Sequence, residues 1–363
     1  MKPLYRNLVV ATLLLVVAVS FILVRFYAAA GQFTTLTAVM QVSADCRALP
    51  SVPGPEDIVI DHERGIAFVA AVDRRAIRAG ASEVRGGIYA IDLQGDPAGW
   101  VLRPVTAHVP AEFQPHGLGL HISASGERTL SVVNHAGGVD KVELFNVDQD
   151  GVLSHRASVQ DPLFVNLNDV QPVGPTRFYA TNDHGTASSF WGSVHDLFGL
   201  ARANLVYFDG TSVRVVADGL RYANGVNVSL DGGQVYVAET GDMVLRILSR
   251  DIASGDLTPL DYIALGTGVD NIDVAPDGML LIGAHPKLLD FVAHAGDAAE
   301  LSPSQVVRLV PREGGGGVGD TVYLNLGEEL SGSSVAASYG DKMLIAGVFE
   351  PKILVCTMPP LPS

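Results

Sequence analysis

Side chains able to hold a divalent cation return along this 363-residue chain at intervals of roughly fifty residues or twice that: Glu56 and Asp57, Asn168, Asn224, then Asp270 and Asn271. Calcium takes about six to eight oxygen ligands, mixing carboxylates, amide and backbone carbonyls and water. Glu56 and Asp270 would match the charge of one such ion, and three asparagines would help complete its shell. A donor set without cysteine, and with little call for histidine, argues against zinc or copper. Asn and Asp are also ordinary turn residues, because they bond their own backbone. Their recurrence is what speaks for a metal.

Histidines form a second set. His116, in Gln114-Pro115-His116-Gly117, and His135, in Val132-Val133-Asn134-His135, lie nineteen residues apart at two ends of one expected hairpin. One could act on a water while the other orients it, since imidazole titrates near neutrality. Two hydrogen-bonded structural histidines would satisfy the same spacing. His184 and His285 end corresponding strands elsewhere, so four histidines at similar positions suggest a ring around one pocket. The chain has no Gly-x-Ser-x-Gly elbow, no Gly-Lys-Ser/Thr phosphate loop and no His-Glu-x-x-His, which removes the usual support for serine-hydrolase, nucleotide-dependent and zinc-protease chemistry.

The elements around these residues are short apolar strands. Glu56-Asp57-Ile58-Val59, Pro115-His116-Gly117-Leu118, Asn168-Asp169-Val170, Asn224-Gly225-Val226, Asp270-Asn271-Ile272 and Ser333-Ser334-Val335 each read as a polar loop leading into a strand, then a turn and a second strand. Six such units, each with several strands, predict an all-β fold, a six-bladed β-propeller that aims equivalent loops at one axis. The sixth pair, Ser333-Ser334, has no assignable role. Helical spacing of Phe190, Trp191, Val194, Leu197 and Phe198 predicts one helix over Ser188 to Leu200, packed on the propeller. The glycines from Gly314 to Gly317 read as a surface loop.

With 24 basic against 39 acidic residues the formal charge is −15, which disfavours nucleic acid as a partner. Residues 1–30 stand apart: Lys2 and Arg6 precede an apolar run that Arg25 closes. This is an export signal, either a retained anchor or a cleaved peptide, and the long core favours the anchor. Residues 31–363 would then form one propeller domain on the non-cytoplasmic side. Cys46 and Cys356 lie near its two ends, and in an oxidising compartment such a pair reads as a disulfide, two free buried thiols being the alternative.

The strings Pro115-His116-Gly117, Val132-Val133-Asn134-His135, Val142-Glu143-Leu144-Phe145, Asn166-Leu167-Asn168-Asp169-Val170, Phe178-Tyr179-Ala180-Thr181-Asn182-Asp183-His184, Ala223-Asn224-Gly225-Val226-Asn227 and Val269-Asp270-Asn271-Ile272 resemble, in the same order, those of the paraoxonases. These are six-bladed propeller lactonases and arylesterases that use calcium. The resemblance runs from about Cys46 to Cys356 and implies two calcium ions. Glu56, Asn168, Asn224, Asp270 and Asn271 would hold a catalytic one; Asp57, Asp169 and the carbonyl of Leu118 a structural one. It also implies a Cys46–Cys356 disulfide and a catalytic dyad of His116 and His135, with Asp270 or a metal-activated water as the alternative base. The pocket would be lined by Asp73, Arg75, Asp183, His184, Tyr222, His285, Phe291, Val348 and Phe349. The chain departs from the family at Val72-Asp73-Arg74-Arg75, at Tyr222 and at Lys287 to Phe291, where substrate selection should lie. The implied activity is hydrolysis of a small lactone or aryl ester. The alternatives are a calcium-stabilised binding module and a propeller enzyme of the strictosidine-synthase or gluconolactonase type.

Overall fold

Six four-stranded antiparallel sheets stand around one axis in the computed structural model, which describes residues 3–36, 46–81, 83–106, 109–185, 200–312 and 314–360. The innermost strands, one per blade, are Pro55–Asp61, Pro115–Ile122, Leu167–Pro172, Ala223–Val228, Gly268–Val274 and Ser333–Tyr339. We number the blades one to six in that order. The propeller is therefore as expected from the repeat. The helix expected over Ser188 to Leu200 lies almost wholly outside the described residues, and Gly314–Gly316 turn between the outer two strands of blade five.

Apolar residues fill the spaces between blades. Phe68, Ile88, Leu130 and Phe145 lie between blades one and two; Leu205, Tyr207, Val235 and Val237 lie between three and four. All are essentially without solvent exposure. Each side chain of this size contributes about 1.5–3 kcal/mol on burial. The blade interfaces hold the body together and leave the axis free for polar groups.

The ring closes by pairing distant segments. Arg47–Pro50 adds to Lys352–Thr357 as the outer strand of blade six, with Arg47 opposite Val355. Cys46 and Cys356, one step further along that register, form a disulfide across 310 residues. A covalent loop of that length removes about 5 kcal/mol of chain entropy from the unfolded state in the simplest model.

Ahead of the propeller, Pro3–Ala29 is a single helix whose segment Asn7–Ala29 is long and apolar enough to cross a membrane. It meets the body where Leu288 N–H donates to the Ala30 carbonyl at 3.0 Å. That contact leads into another helix, Leu288–Gly296, which the sequence reading did not anticipate.

Candidate functional site

The residues expected in loops are inside strands. Each innermost strand shifts register against its neighbour near its beginning, between Pro55 and Asp57, Pro115 and Leu118, Leu167 and Val170, Ala223 and Val226, Val269 and Ile272, and Ser333 and Val335. Regular strands send successive side chains to opposite faces, and a bulge breaks that alternation. At the first of these bulges two consecutive side chains both leave toward neighbouring blades. Glu56 reaches blades two and five, while Asp57 reaches Leu118. The strands approach so closely that a Cβ on Gly117 would strike Asp169, and one on Gly225 would lie 2.6 Å from the Asp270 carbonyl. Only glycine fits there.

Five of the expected ligands converge at this level. Glu56, Asn168, Asn224, Asp270 and Asn271 are only 2–5 % exposed, so their polar atoms need partners within the protein. Their nitrogens have them: Asn271 Nδ2 donates to Glu56 Oε1 at 3.0 Å across the axis, and Asn224 Nδ2 to Thr240 Oγ1 at 3.2 Å. Four of their oxygens do not. Glu56 Oε2, Asn168 Oδ1, Asn224 Oδ1 and Asn271 Oδ1 are buried without a hydrogen-bond partner. A buried, unmatched oxygen costs about 1–3 kcal/mol. Four from four strands around one axis are oxygen donors of the kind that suits a hard cation. Among the described residues no three His, Cys, Asp or Glu side chains group as a metal site; this set is two carboxylates and three amides.

Burial would raise the Glu56 carboxyl, but His116, Arg74 and the Asn271 amide outweigh it and hold the group down to about 2. Burial dominates at Asp270, pushing it up to about 6 against the pull of His285, whose Nε2–H donates to Asp270 Oδ2 at 2.7 Å.

Asp57 and Asp169 are differently employed. Asp57 accepts the N–H groups of Ile58 and, on blade two, Leu118 at 2.8 Å each. Asp169 accepts those of Val170 and, on blade four, Val226 at 2.7 Å each. Both carboxylates staple one blade to the next. Burial and then the Asp169 charge drive Asp57 well above the usual carboxylate range; burial takes Asp169 to about 7. Ser334 closes the circle, its Oγ donating to the Glu56 carbonyl at 2.5 Å. That gives the sixth blade the role the sequence left open.

His116 Nδ1 lies 2.9 Å from His135 Nε2, and His135 Nδ1 lies 2.8 Å from Asp140 Oδ1. A carboxylate only accepts, so His135 Nδ1 donates to Asp140 and its Nε2 accepts from His116 Nδ1–H. His116 Nε2 lies 3.6 Å from Glu56 Oε1: it carries a proton toward that carboxylate when the ring is charged and a lone pair when it is neutral. Burial lowers the His116 pKa and favours that neutral form. Asp140 is fixed by Leu167 N–H, which donates to its Oδ2 at 2.6 Å. The sequence reading passed over Asp140, which follows Gly137-Gly138-Val139 and looks like any turn residue.

The expected pocket residues divide. His285 is buried and stacks on Phe291 with ring centroids 4.0 Å apart; Phe291 in turn faces Phe349 at 5.9 Å. Asp183 accepts from Asn166, burial raising its pKa, and His184 meets the Tyr222 ring edge-on at 5.1 Å. Val348 N–H donates to the Gly332 carbonyl. Asp73 caps a short helix, Arg74–Arg78, through Ala76 N–H, and Arg75 turns to the His294 carbonyl at 2.7 Å. It is Arg74 that reaches the axis, 3.9 Å from Glu56 Oε2.

Residues 54–358 match the model of the family described as Arylesterase. The chain belongs to the arylesterase family. It is 33% identical over 319 residues to the serum paraoxonase/arylesterase 2 of Rattus norvegicus, covering 86% of this chain and 89% of that protein. With the serum paraoxonase/lactonase 3 of Mus musculus it shares 32% over 309 residues, 84% of this chain and 86% of the other. Among solved structures it resembles the calcium-binding protein regucalcin of Agrobacterium tumefaciens, with a TM-score of 0.51 at 14% identity over 85% of this chain and 91% of that one. That likeness speaks for the fold alone. The resemblance to the paraoxonases and the six-bladed propeller both hold.

Proposed function

We propose that this arylesterase-family hydrolase opens lactones and cleaves aryl esters with the help of calcium held at the axis. The observation that carries the calcium reading is the ring of four buried oxygens without partners on Glu56, Asn168, Asn224 and Asn271. With Asp270 they would hold the catalytic ion; Asp57, Asp169 and the Leu118 carbonyl would hold the structural one. When bound, the catalytic ion supplies Lewis acidity toward the carbonyl oxygen of the ester and the charge that develops there.

The protein's own part lies in proton handling. His116 Nε2 presents the lone pair that takes a proton from the attacking water as its oxygen bonds to the carbonyl carbon. The charge gained by His116 is shared through Nδ1–H with His135, and Asp140 steadies it from behind. The same proton then returns to the alkoxide oxygen as the ring or ester bond breaks. His285 holds Asp270 in place, and the Phe291–Phe349 pair offers an apolar wall.

The compartment follows from the N-terminal helix and the disulfide, which fit an exported protein. In this reading residues 1–30 anchor the domain 31–363 on the non-cytoplasmic side, or direct its secretion if cleaved. The test is a calcium-supplemented screen across lactone ring sizes and aryl esters. Activity should vanish with EDTA and return with calcium but not magnesium; full turnover of the metal-free protein would sink the proposal. His116→Gln should abolish lactone turnover with the circular-dichroism spectrum unchanged, and surviving turnover would remove the histidine from the base role.

A further inference from the structure

Arg74 opens the short helix Arg74–Arg78 and is pinned at two points on different blades. Its Nη1 donates to the Gly54 carbonyl at 3.2 Å and its Nη2 to the Pro115 carbonyl at 3.3 Å. The side chain keeps only 15% of its surface exposed. Gly54 has φ +68, and a Cβ there would meet the Val72 carbonyl and stand 3.3 Å from Arg74 Nη1. The backbone is thus shaped to admit this guanidinium. It sits beside His116, which follows Pro115, and Nη2 stands 3.9 Å from Glu56 Oε2, one of the oxygens left without a partner. Neighbouring Arg75 is committed elsewhere, to His294 and the face of Phe349 at 4.6 Å.

At this position Arg74 is too far from Glu56 for a hydrogen bond. A guanidinium carries five N–H donors in a plane, and the two carbonyls account for two. Among the described residues no hydrogen bond engages the other three. A divalent ion would offset the charges of Glu56 and Asp270, so Arg74 adds positive charge that no protein carboxylate at hydrogen-bond distance matches. We infer that Arg74 is a specificity residue that receives a carboxylate on the substrate, so that this enzyme prefers lactones or esters carrying a free carboxylate close to the scissile carbonyl. Planar, paired donors suit a carboxylate in particular. The inference rests on the hydrolase reading above and narrows its substrate class.

A matched pair of probes tests it: β-carboxy-γ-butyrolactone and its neutral β-carboxamide, assayed on the calcium-loaded full chain. The carboxylate should be preferred in kcat/KM by ~10-fold or more, the factor a charge-assisted bond carries, and the preference should shrink as salt rises. In Arg74→Met the ratio should fall to near or below unity, and Arg74→Lys should recover part of it. Titration calorimetry with tetrahydrofuran-3-carboxylate, which cannot be hydrolysed, should show weaker binding to Arg74→Met by a similar factor. A wild-type enzyme without the preference, or a ratio unmoved by Arg74→Met, overturns the inference. So does a variant that binds calcium more tightly with its ratio unaltered, since Arg74 would then act on the metal ligands alone. If wild type opens neither lactone but is active in the wider screen, the inference falls and the hydrolase reading stands; if it is inactive throughout, the hydrolase reading fails, and the calorimetry still decides what Arg74 binds. Should Arg74→Met not fold, Arg74→Lys and the salt dependence carry the test.

Discussion

Glu56 and Asp57 are neighbours at one bulge, as are Asn168 and Asp169, yet the members of each pair live in different regions. Glu56 and Asn168 each leave a buried oxygen without a partner. Asp57 and Asp169 place both carboxylate oxygens on backbone N–H groups, one of them on the next blade. The first region presents oxygens that the chain's own donors leave unmatched; the second already ties one blade to the next. Two adjacent residues of similar polarity can thus differ in purpose. The difference is set by where a bulged strand points them.

That contrast predicts opposite costs. Glu56→Gln keeps the shape but removes a charge from the axis, so kcat/KM for a neutral lactone should fall ~100-fold or more, while the melting temperature in saturating calcium should fall by less than in Asp169→Ala. A variant that melts early but works at low temperature would erase the distinction. Asp169→Ala should do the reverse in kind. It leaves the N–H groups of Val170 and Val226 buried and unmatched at about 1–3 kcal/mol each. Thermal unfolding in calcium should show the loss, and unchanged stability would mean that Asp169 is no staple.

A smaller effect tests how far the histidine chain extends. Asp140 reaches the reacting centre only through His135 and His116, so Asp140→Asn should lower kcat by ~10-fold without changing KM. It should also move the pH profile, because the preferred His135 tautomer is lost. A uniform loss of folded enzyme with an unmoved profile would make Asp140 merely structural.

Much of this was legible beforehand for a physical reason. The period of the strand units is written in local sequence, and equivalent positions in a closed ring must meet, so Glu56, Asn168, Asn224, Asp270 and Asn271 could be gathered without coordinates. Bulges were not legible: one extra residue in a ladder looks like a loop end when read alone. Asp140 was missed and Ser334 left without a role because their partners, His135 with Leu167 and the Glu56 carbonyl, are fixed by packing between blades. The helix Leu288–Gly296 was hidden because Lys287 to Phe291 stood out only as a departure from the family, not as a periodic segment. Arg74 went unweighted beside Asp73 and Arg75, since which residue of a short helix faces the axis depends on how Asp73 caps it.

The gentlest test compares the two regions through protons. Without metal, burial raises Asp57, brings Asp169 to about 7 and Asp270 to about 6. In the unfolded chain these groups titrate near 4. The folded state therefore holds more protons across that window, and its stability is highest below it and falls as pH rises through it. Glu56, held down to about 2, runs the other way and contributes stability that is lost only in strong acid. Calcium binds the ionised carboxylates and should reverse the first trend. Scanning calorimetry from about pH 5 to about pH 8 should thus find the melting temperature in EDTA drifting down, by roughly 2 °C per kcal/mol lost. The increment given by calcium should widen over the same range. Asp169→Ala should flatten the drift more than Glu56→Gln does, because it removes one of the two carboxylates that repel each other. An EDTA curve that rises throughout would mean that the charges at the axis are not crowded, and that the oxygens of Glu56 and the asparagines, rather than Asp57 and Asp169, make the stronger claim on a cation.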